Sequence, residues 1–186
     1  MQRSADPISG LGGFIDVSAL DAGTHLKVEY HGKAVTAGDH LTASHTKGEP
    51  AVSIEVDKPD ASASRFTVVM VDPDAPSPDN PIFAEFLHWI AVDVPANQAL
   101  QKVKGGGGGG GEVVDYMGPA PPKGVHRYVF LAYRQPHGTE PFLDAHAQKQ
   151  LQSRGRKKFS HAAFAQERGL GAPAAATYFC TAASDA

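Results

Sequence analysis

Polar and apolar residues alternate in His25-Leu-Lys-Val-Glu-Tyr30, so Leu26, Val28 and Tyr30 share a face. The same holds in Ala51-Val-Ser-Ile-Glu-Val56, where Val52, Ile54 and Val56 do. A period of two predicts half-buried β-strands. Phe66 to Val71, Phe86 to Val94 and Val125 to Tyr133 are instead almost continuously apolar, and the first two run into Pro73 and Pro95. These three predict central strands covered on both faces. A further strand-like run, Thr177-Tyr-Phe-Cys180, closes the series. Helical signals come late. Phe142 to Gln152 is rich in good helix formers, and Ser160-His-Ala-Ala-Phe-Ala-Gln-Glu-Arg168 offers an N-cap serine, a stop at Gly169 and a proline beyond at Pro173. The order predicts a mainly β chain with short helices near its C-terminal end.

A length of 186 residues is read as a single domain, 1–186. Folding at this mass buries roughly 70% of the unfolded surface, so stability requires neither a metal nor a disulfide. Twenty glycines and 14 prolines imply many turns. Residues 105–111 are seven consecutive glycines, expected to form a flexible surface loop spanning roughly 15 Å. A phosphate-cradling P-loop would need Lys-Ser/Thr and a helix after it; Glu112-Val-Val-Asp-Tyr116 reads as strand instead. With 17 basic and 20 acidic residues the net charge is −3, which lacks the basic footprint of a nucleic-acid binder. The lone cysteine precludes an intrachain disulfide and fits a reducing compartment. No signal-peptide core or membrane-length apolar run is present, so the expected location is cytoplasmic, with peripheral membrane contact at most.

Polar chemistry collects at the mouths of the apolar strands. In Asp72-Pro-Asp-Ala-Pro-Ser77, parity puts Asp72 on the face of Val68 and Met70 just before the chain turns. In Phe86 to Pro95, His88 takes the parity of Ile90, Val92 and Val94. In Gly118-Pro-Ala-Pro-Pro-Lys-Gly-Val-His-Arg-Tyr128, a proline-rich loop runs into a strand on which His126, Tyr128, Phe130 and Ala132 share a face. Any one of these polar residues alone reads more plainly as a turn initiator or a satisfied core histidine. Together they make an anion pocket in which two imidazoles donate hydrogen bonds, a carboxylate fixes a tautomer and Tyr128 adds a neutral donor. The same residue types also make a two-His, one-carboxylate metal site, and both readings stay open on composition. No nucleophile stands beside them: Cys180 is expected to be buried and inert, and Ser77 lacks a nucleophile-elbow setting.

These motifs resemble those of the phosphatidylethanolamine-binding protein family, which includes the Raf kinase inhibitor proteins and the plant flowering-time regulators. The residues that carry the resemblance are Asp72-Pro-Asp-Ala-Pro-Ser77, His88-Trp89, Gly118-Pro-x-Pro-Pro-x-Gly-x-His-Arg-Tyr128 and the stretch from Phe159 to Phe179, which is similar to the plant branch. The resemblance implies a large central antiparallel β-sheet packed against a smaller one, with a small anion pocket at one end. It assigns Asp72, His88 and His126 to the pocket, places Tyr128, Pro76, Pro121 and Pro122 on its walls, and puts Phe86 at its mouth as a gating residue. It also implies a cis bond before Pro76. Ala120, often glycine in the animal branch, departs from the pattern, and the flanking C-terminal helix of mammalian members is expected to be missing.

The expected function is that of a non-enzymatic binding protein without a cofactor. Its pocket takes a phosphate-bearing small ligand or a phospholipid head group of the phosphatidylethanolamine or phosphorylethanolamine type, and its surface regulates a signalling partner, with nucleic acid excluded. Alternatives are a metal-dependent hydrolase or lyase using the same Asp/His cluster, and a surface-contact scaffold or inhibitor of kinases, proteases or adaptors. For the last, Arg154-Gly-Arg-Lys-Lys158 supplies the cationic cluster, whose plainer reading is a solvated loop.

Overall fold

The computed structural model describes residues 7–57, 64–98, 111–136 and 141–183. Two sheets form the architecture. The smaller has three strands in the order β2-β1-β4, comprising β1 (Thr24–Tyr30), β2 (Lys33–Ala34) and β4 (Ala51–Val56). The larger has six in the order β3-β9-β8-β5-β6-β7. Its strands are β3 (Asp39–His40), β5 (Arg65–Asp72), β6 (Phe86–Pro95), β7 (Gly111–Val114), β8 (Val125–Arg134) and β9 (Ala175–Ala182). All pairings are antiparallel except β3 with β9. Two short 3-10 helices precede β1, and α1 (Ala145–Ser153) and α2 (His161–Glu167) lie between β8 and β9. Among the described residues no helix is long and apolar enough to cross a membrane.

The alternating strands β1 and β4 pair with Val28 opposite Val52 and Leu26 opposite Ile54, so their apolar faces coincide. That face packs on Phe66, Val68, Met70, Trp89, Tyr128, Phe130 and Phe179 of the large sheet, forming one core between the sheets. The opposite face of the large sheet, with Val69, Val71, Ile90, Val92, Val129 and Leu131, is covered by Leu11, by Leu151 of α1 and by Phe164 of α2. Two covered faces explain why β5, β6 and β8 are apolar without alternation. Both helices begin at a side-chain cap: Asp144 accepts from the Ala147 N–H at 2.7 Å, and Ser160 Oγ accepts from the Ala163 N–H at 3.1 Å. The cap at Asp144 starts α1 three residues later than the composition of 142–152 predicts.

Of the glycine run, residues 105–110 lie outside the described residues, whereas Gly111 already belongs to β7, so the run leads into a strand as expected.

One expectation needs correction. Strict alternation groups His88 with Ile90, Val92 and Val94, but Ile90 and Val92 face the helices while Trp89, Ala91 and Val94 face the small sheet. The register explains this: Met70 pairs Trp89 and Val71 pairs Leu87, so His88 is an extra residue in β6. A second irregularity lies between the Phe66–Val94 and Val68–Ala91 pairs, where Asp93 adopts φ 57°. There the Asp93 carboxylate accepts from Gln135 Nε2 at 2.8 Å and the Phe142 N–H, which satisfies the buried group. Two bulges thus shift the parity of β6 twice within eight residues.

Candidate functional site

In the order β8-β5-β6, antiparallel pairing sets the C-terminal end of β5 beside the N-terminal ends of β6 and β8. Asp72, His88, His126 and Tyr128 are therefore delivered to one end of the large sheet by topology alone. They line a cavity of about 250 Å³, together with Ala75, Pro76, Phe83, Phe86, Met117, Gly118, Ala120, Pro122 and Lys157. Every expected site residue except Pro121 is on this wall; Pro121 is buried and not part of it. The Ala75–Pro76 bond is cis, as the resemblance implies. Phe86 is half-buried and tilted against the His88 ring at 5.2 Å.

The acid and one imidazole form a pair. Asp72 Oδ2 lies 2.7 Å from His126 Nδ1, both side chains are almost fully buried, and Asp72 Oδ1 accepts from the Asp74 N–H at 2.7 Å. His126 Nε2 lies 3.1 Å from the Lys123 carbonyl, which can only accept, so Nε2 carries a proton. The short contact between Nδ1 and Oδ2 needs a second proton between them. Wherever that proton sits, the pair has zero net charge. Burial raises the Asp72 carboxyl above its ordinary value, opposed by the bonds from His126 and Asp74.

His88 is held differently. Its Nδ1–H donates to the Met117 carbonyl at 2.6 Å, leaving Nε2 for an occupant of the cavity. Burial pushes its pKa down to about 4, against the Met117 bond and with help from the nearby charges of Arg156 and His126. The ring is therefore neutral at physiological pH, and Nε2 is an acceptor. The expectation of two donating imidazoles is corrected on both counts: His126 has acceptors at both nitrogens within the protein, and His88 offers a lone pair. Tyr128 on the same wall has a protonated hydroxyl. Burial, reinforced by the charge of Asp72, lifts its pKa far above the ordinary value and keeps its hydroxyl protonated.

Around this centre the first-motif loop is locked to β8. Arg127 Nε and its backbone N–H donate to Asp74 Oδ2, each at 2.9 Å, and a terminal guanidinium nitrogen donates to Oδ1 at 2.8 Å. Burial raises the Asp74 carboxyl, but the bonds and charge of Arg127 outweigh it and leave the pKa lowered. Among the described residues no group of three His, Cys, Asp or Glu side chains converges to hold a metal ion. Cys180 is half-buried rather than buried, with its thiol pKa raised by burial.

The sequence reading missed Phe83, Met117, Gly118 and Lys157. All four sit on loops, where no periodicity marks an inward side chain. In the basic run Arg154, Lys157 and Lys158 are exposed, as the solvated-loop reading expects, whereas Arg156 is half-buried and tied down. Arg156 donates to the carbonyls of Leu87 (3.1 Å), His88 (2.9 Å) and Asp115 (2.7 Å), while the guanidinium of Arg154 lies 5.4 Å from the Phe159 ring. A larger cleft of about 430 Å³, lined by residues including Leu151, Gln152 and Arg156, contains none of the motif residues.

The family's sequence model, described as phosphatidylethanolamine-binding protein, matches residues 23–179. The chain belongs to the phosphatidylethanolamine-binding protein family. Among its curated relatives, Protein TWIN SISTER of FT from Arabidopsis thaliana is 38% identical over 83% of this chain and 77% of that protein. Protein TERMINAL FLOWER 1, from the same plant, is 35% identical over 84% of this chain and 78% of that protein. A crystal structure of carboxypeptidase Y inhibitor complexed with its cognate proteinase superposes with a TM-score of 0.73 at 28% identity, covering 96% of this chain and 94% of the other. The phosphatidylethanolamine-binding protein of Plasmodium vivax shares the fold at a TM-score of 0.63 and 16% identity, with 96% of each chain covered.

Proposed function

We propose that this family member is a non-enzymatic binding protein whose cavity seats a small phosphoryl-bearing ligand of the phosphorylethanolamine kind, and whose surface regulates a protein partner. The observation that carries the reading is the convergence of the neutral Asp72–His126 pair, His88 and Tyr128 on a single cavity at the end of the sheet. Such a wall offers a donor in the Tyr128 hydroxyl and an acceptor in His88 Nε2. A ligand carrying both an oxyanion and an N–H or O–H donor satisfies the two together. Asp72 and His126 act as a fixed, uncharged floor that satisfies its own polar groups. Hydrolysis has less support, because among the described residues no activated nucleophile faces the cavity and no three-ligand metal set forms.

NMR titration with phosphorylethanolamine tests the reading through the ring signals of His88 and Tyr128. Saturable shifts at both are expected; signals that stay fixed up to millimolar ligand defeat the proposal. A protein partner is supported by the likeness to the carboxypeptidase Y inhibitor, which is seen with its proteinase. Inhibition assays against carboxypeptidase Y test that second reading, and the absence of inhibition at micromolar protein removes it.

A further inference from the structure

We infer that Lys157, outside every sequence motif of the pocket, is the residue that supplies the positive charge an anionic ligand meets there. The inference rests on the phosphoryl reading above and names its electrostatic partner. Among the described lining residues, the Asp72–His126 pair is neutral by hydrogen-bond accounting, His88 presents a lone pair once Nδ1–H is committed to Met117, and Tyr128 is an uncharged donor. The remaining charged side chain on the wall is Lys157.

The placement of Lys157 is built. The turn from Arg156 to Phe159 is tied by backbone bonds to the chain that enters β6. Leu87 N–H donates to the Arg156 carbonyl at 2.8 Å, Lys158 N–H to the Phe83 carbonyl at 3.0 Å and Phe159 N–H to the Glu85 carbonyl at 2.9 Å. The guanidinium of Arg156 fastens the same segment to three further carbonyls. Lys157 is thereby held at the rim with its Nζ 3.9 Å from the centre of the Phe83 ring, itself part of the cavity wall. Among the described residues no carboxylate lies within salt-bridge distance of Lys157. A cation parked on an aromatic face at a pocket mouth, unpaired and sharing a cavity with the protonated Tyr128 hydroxyl, is matched by an oxyanion.

The experiment measures the affinity of wild type, Lys157→Gln, Lys157→Arg and Lys158→Gln for inorganic phosphate by isothermal titration, and for vesicles of phosphatidylethanolamine in phosphatidylcholine by flotation. Lys158 is exposed and does not line the cavity, so its variant controls for net charge. Lys157→Gln is expected to bind phosphate about fivefold to tenfold more weakly and with a flatter salt dependence, while Lys157→Arg and Lys158→Gln stay near wild type. Parallel weakening on vesicles extends the role to lipid-borne head groups; weakening with phosphate alone assigns it to the free anion. If wild type binds and Lys157→Gln binds equally, or Lys158→Gln falls as far, the inference is overturned while the phosphoryl reading survives. If wild type binds neither probe, both fall together.

Discussion

Neutral, buried His88 makes the fold sensitive to acid, and the size of the effect follows from its surroundings. The folded ring titrates near 4, because burial disfavours the charged form, whereas the unfolded chain takes up the same proton near the ordinary histidine value of 6.5. Below about pH 6.5 the unfolded state binds the proton first. Stability is therefore fully present above that pH and is lost as pH falls toward 4. A gap of about 2.5 units at about 1.36 kcal/mol each gives roughly 3 kcal/mol, a large share of a typical domain's stability. Asp72 works in the opposite direction. Its raised folded-state carboxyl pKa makes the folded state hold a proton that the unfolded chain has released, a contribution that fades as pH rises. Urea unfolding of wild type and His88→Gln isolates the histidine, since the other titrations are common to both. Trp89 is the sole tryptophan and is buried between the sheets, so its fluorescence reports the loss of that core. The glutamine amide can still donate to Met117 but cannot take up the proton. The stability of wild type relative to His88→Gln should fall by about 3 kcal/mol between about pH 7 and about pH 4. A difference that stays constant across that range refutes the reasoning.

Other outcomes test neighbouring links. Arg127→Ala removes the two side-chain bonds to Asp74, leaving only the backbone N–H on a mostly buried carboxylate, so urea unfolding should show a loss of about 2 kcal/mol. Ser160→Ala deletes the cap of α2 and should cost about 1 kcal/mol in the same assay, with Ser160→Asp close to wild type. Phe164→Ala, under the helix-covered face of the large sheet, should cost about 3–5 kcal/mol, read as a lowered melting temperature. Tyr128→Phe keeps the ring stack on Phe179 but loses the donor, so phosphorylethanolamine affinity should fall about threefold to tenfold by titration calorimetry.

Much of this was legible in the chain itself. The alternation of β1 and β4 fixes which side chains enter the core, and Ser160 with Gly169 brackets α2. Parity also brings Asp72 and His126 to one face, where they bond. The motif resemblance then gave the fold and seven of the thirteen residues on the cavity wall. What escaped has physical causes. A strand covered on both faces has no polar alternation against which a bulge would show, so the extra residue at His88 and the turn of Asp93 left no trace in Phe86 to Pro95. Donor and acceptor roles escaped as well, because they depend on the carbonyls of Met117 and Lys123, backbone groups that every sequence carries. Lys157 reaches the cavity through a loop registered on β6 by backbone bonds, which spacing along the chain does not encode.

That loop separates two jobs that many binding sites assign to the same atoms. The acid and imidazoles at the sheet end are fixed in shape and in protonation by the surrounding fold, so substitution there disturbs folding as well as recognition. The lysine over Phe83 stands in solvent, and exchanging it for glutamate leaves every core contact intact. On the proposed reading, the sign of the charge that a ligand meets at the pocket would be set by one surface codon while the interior stays the same.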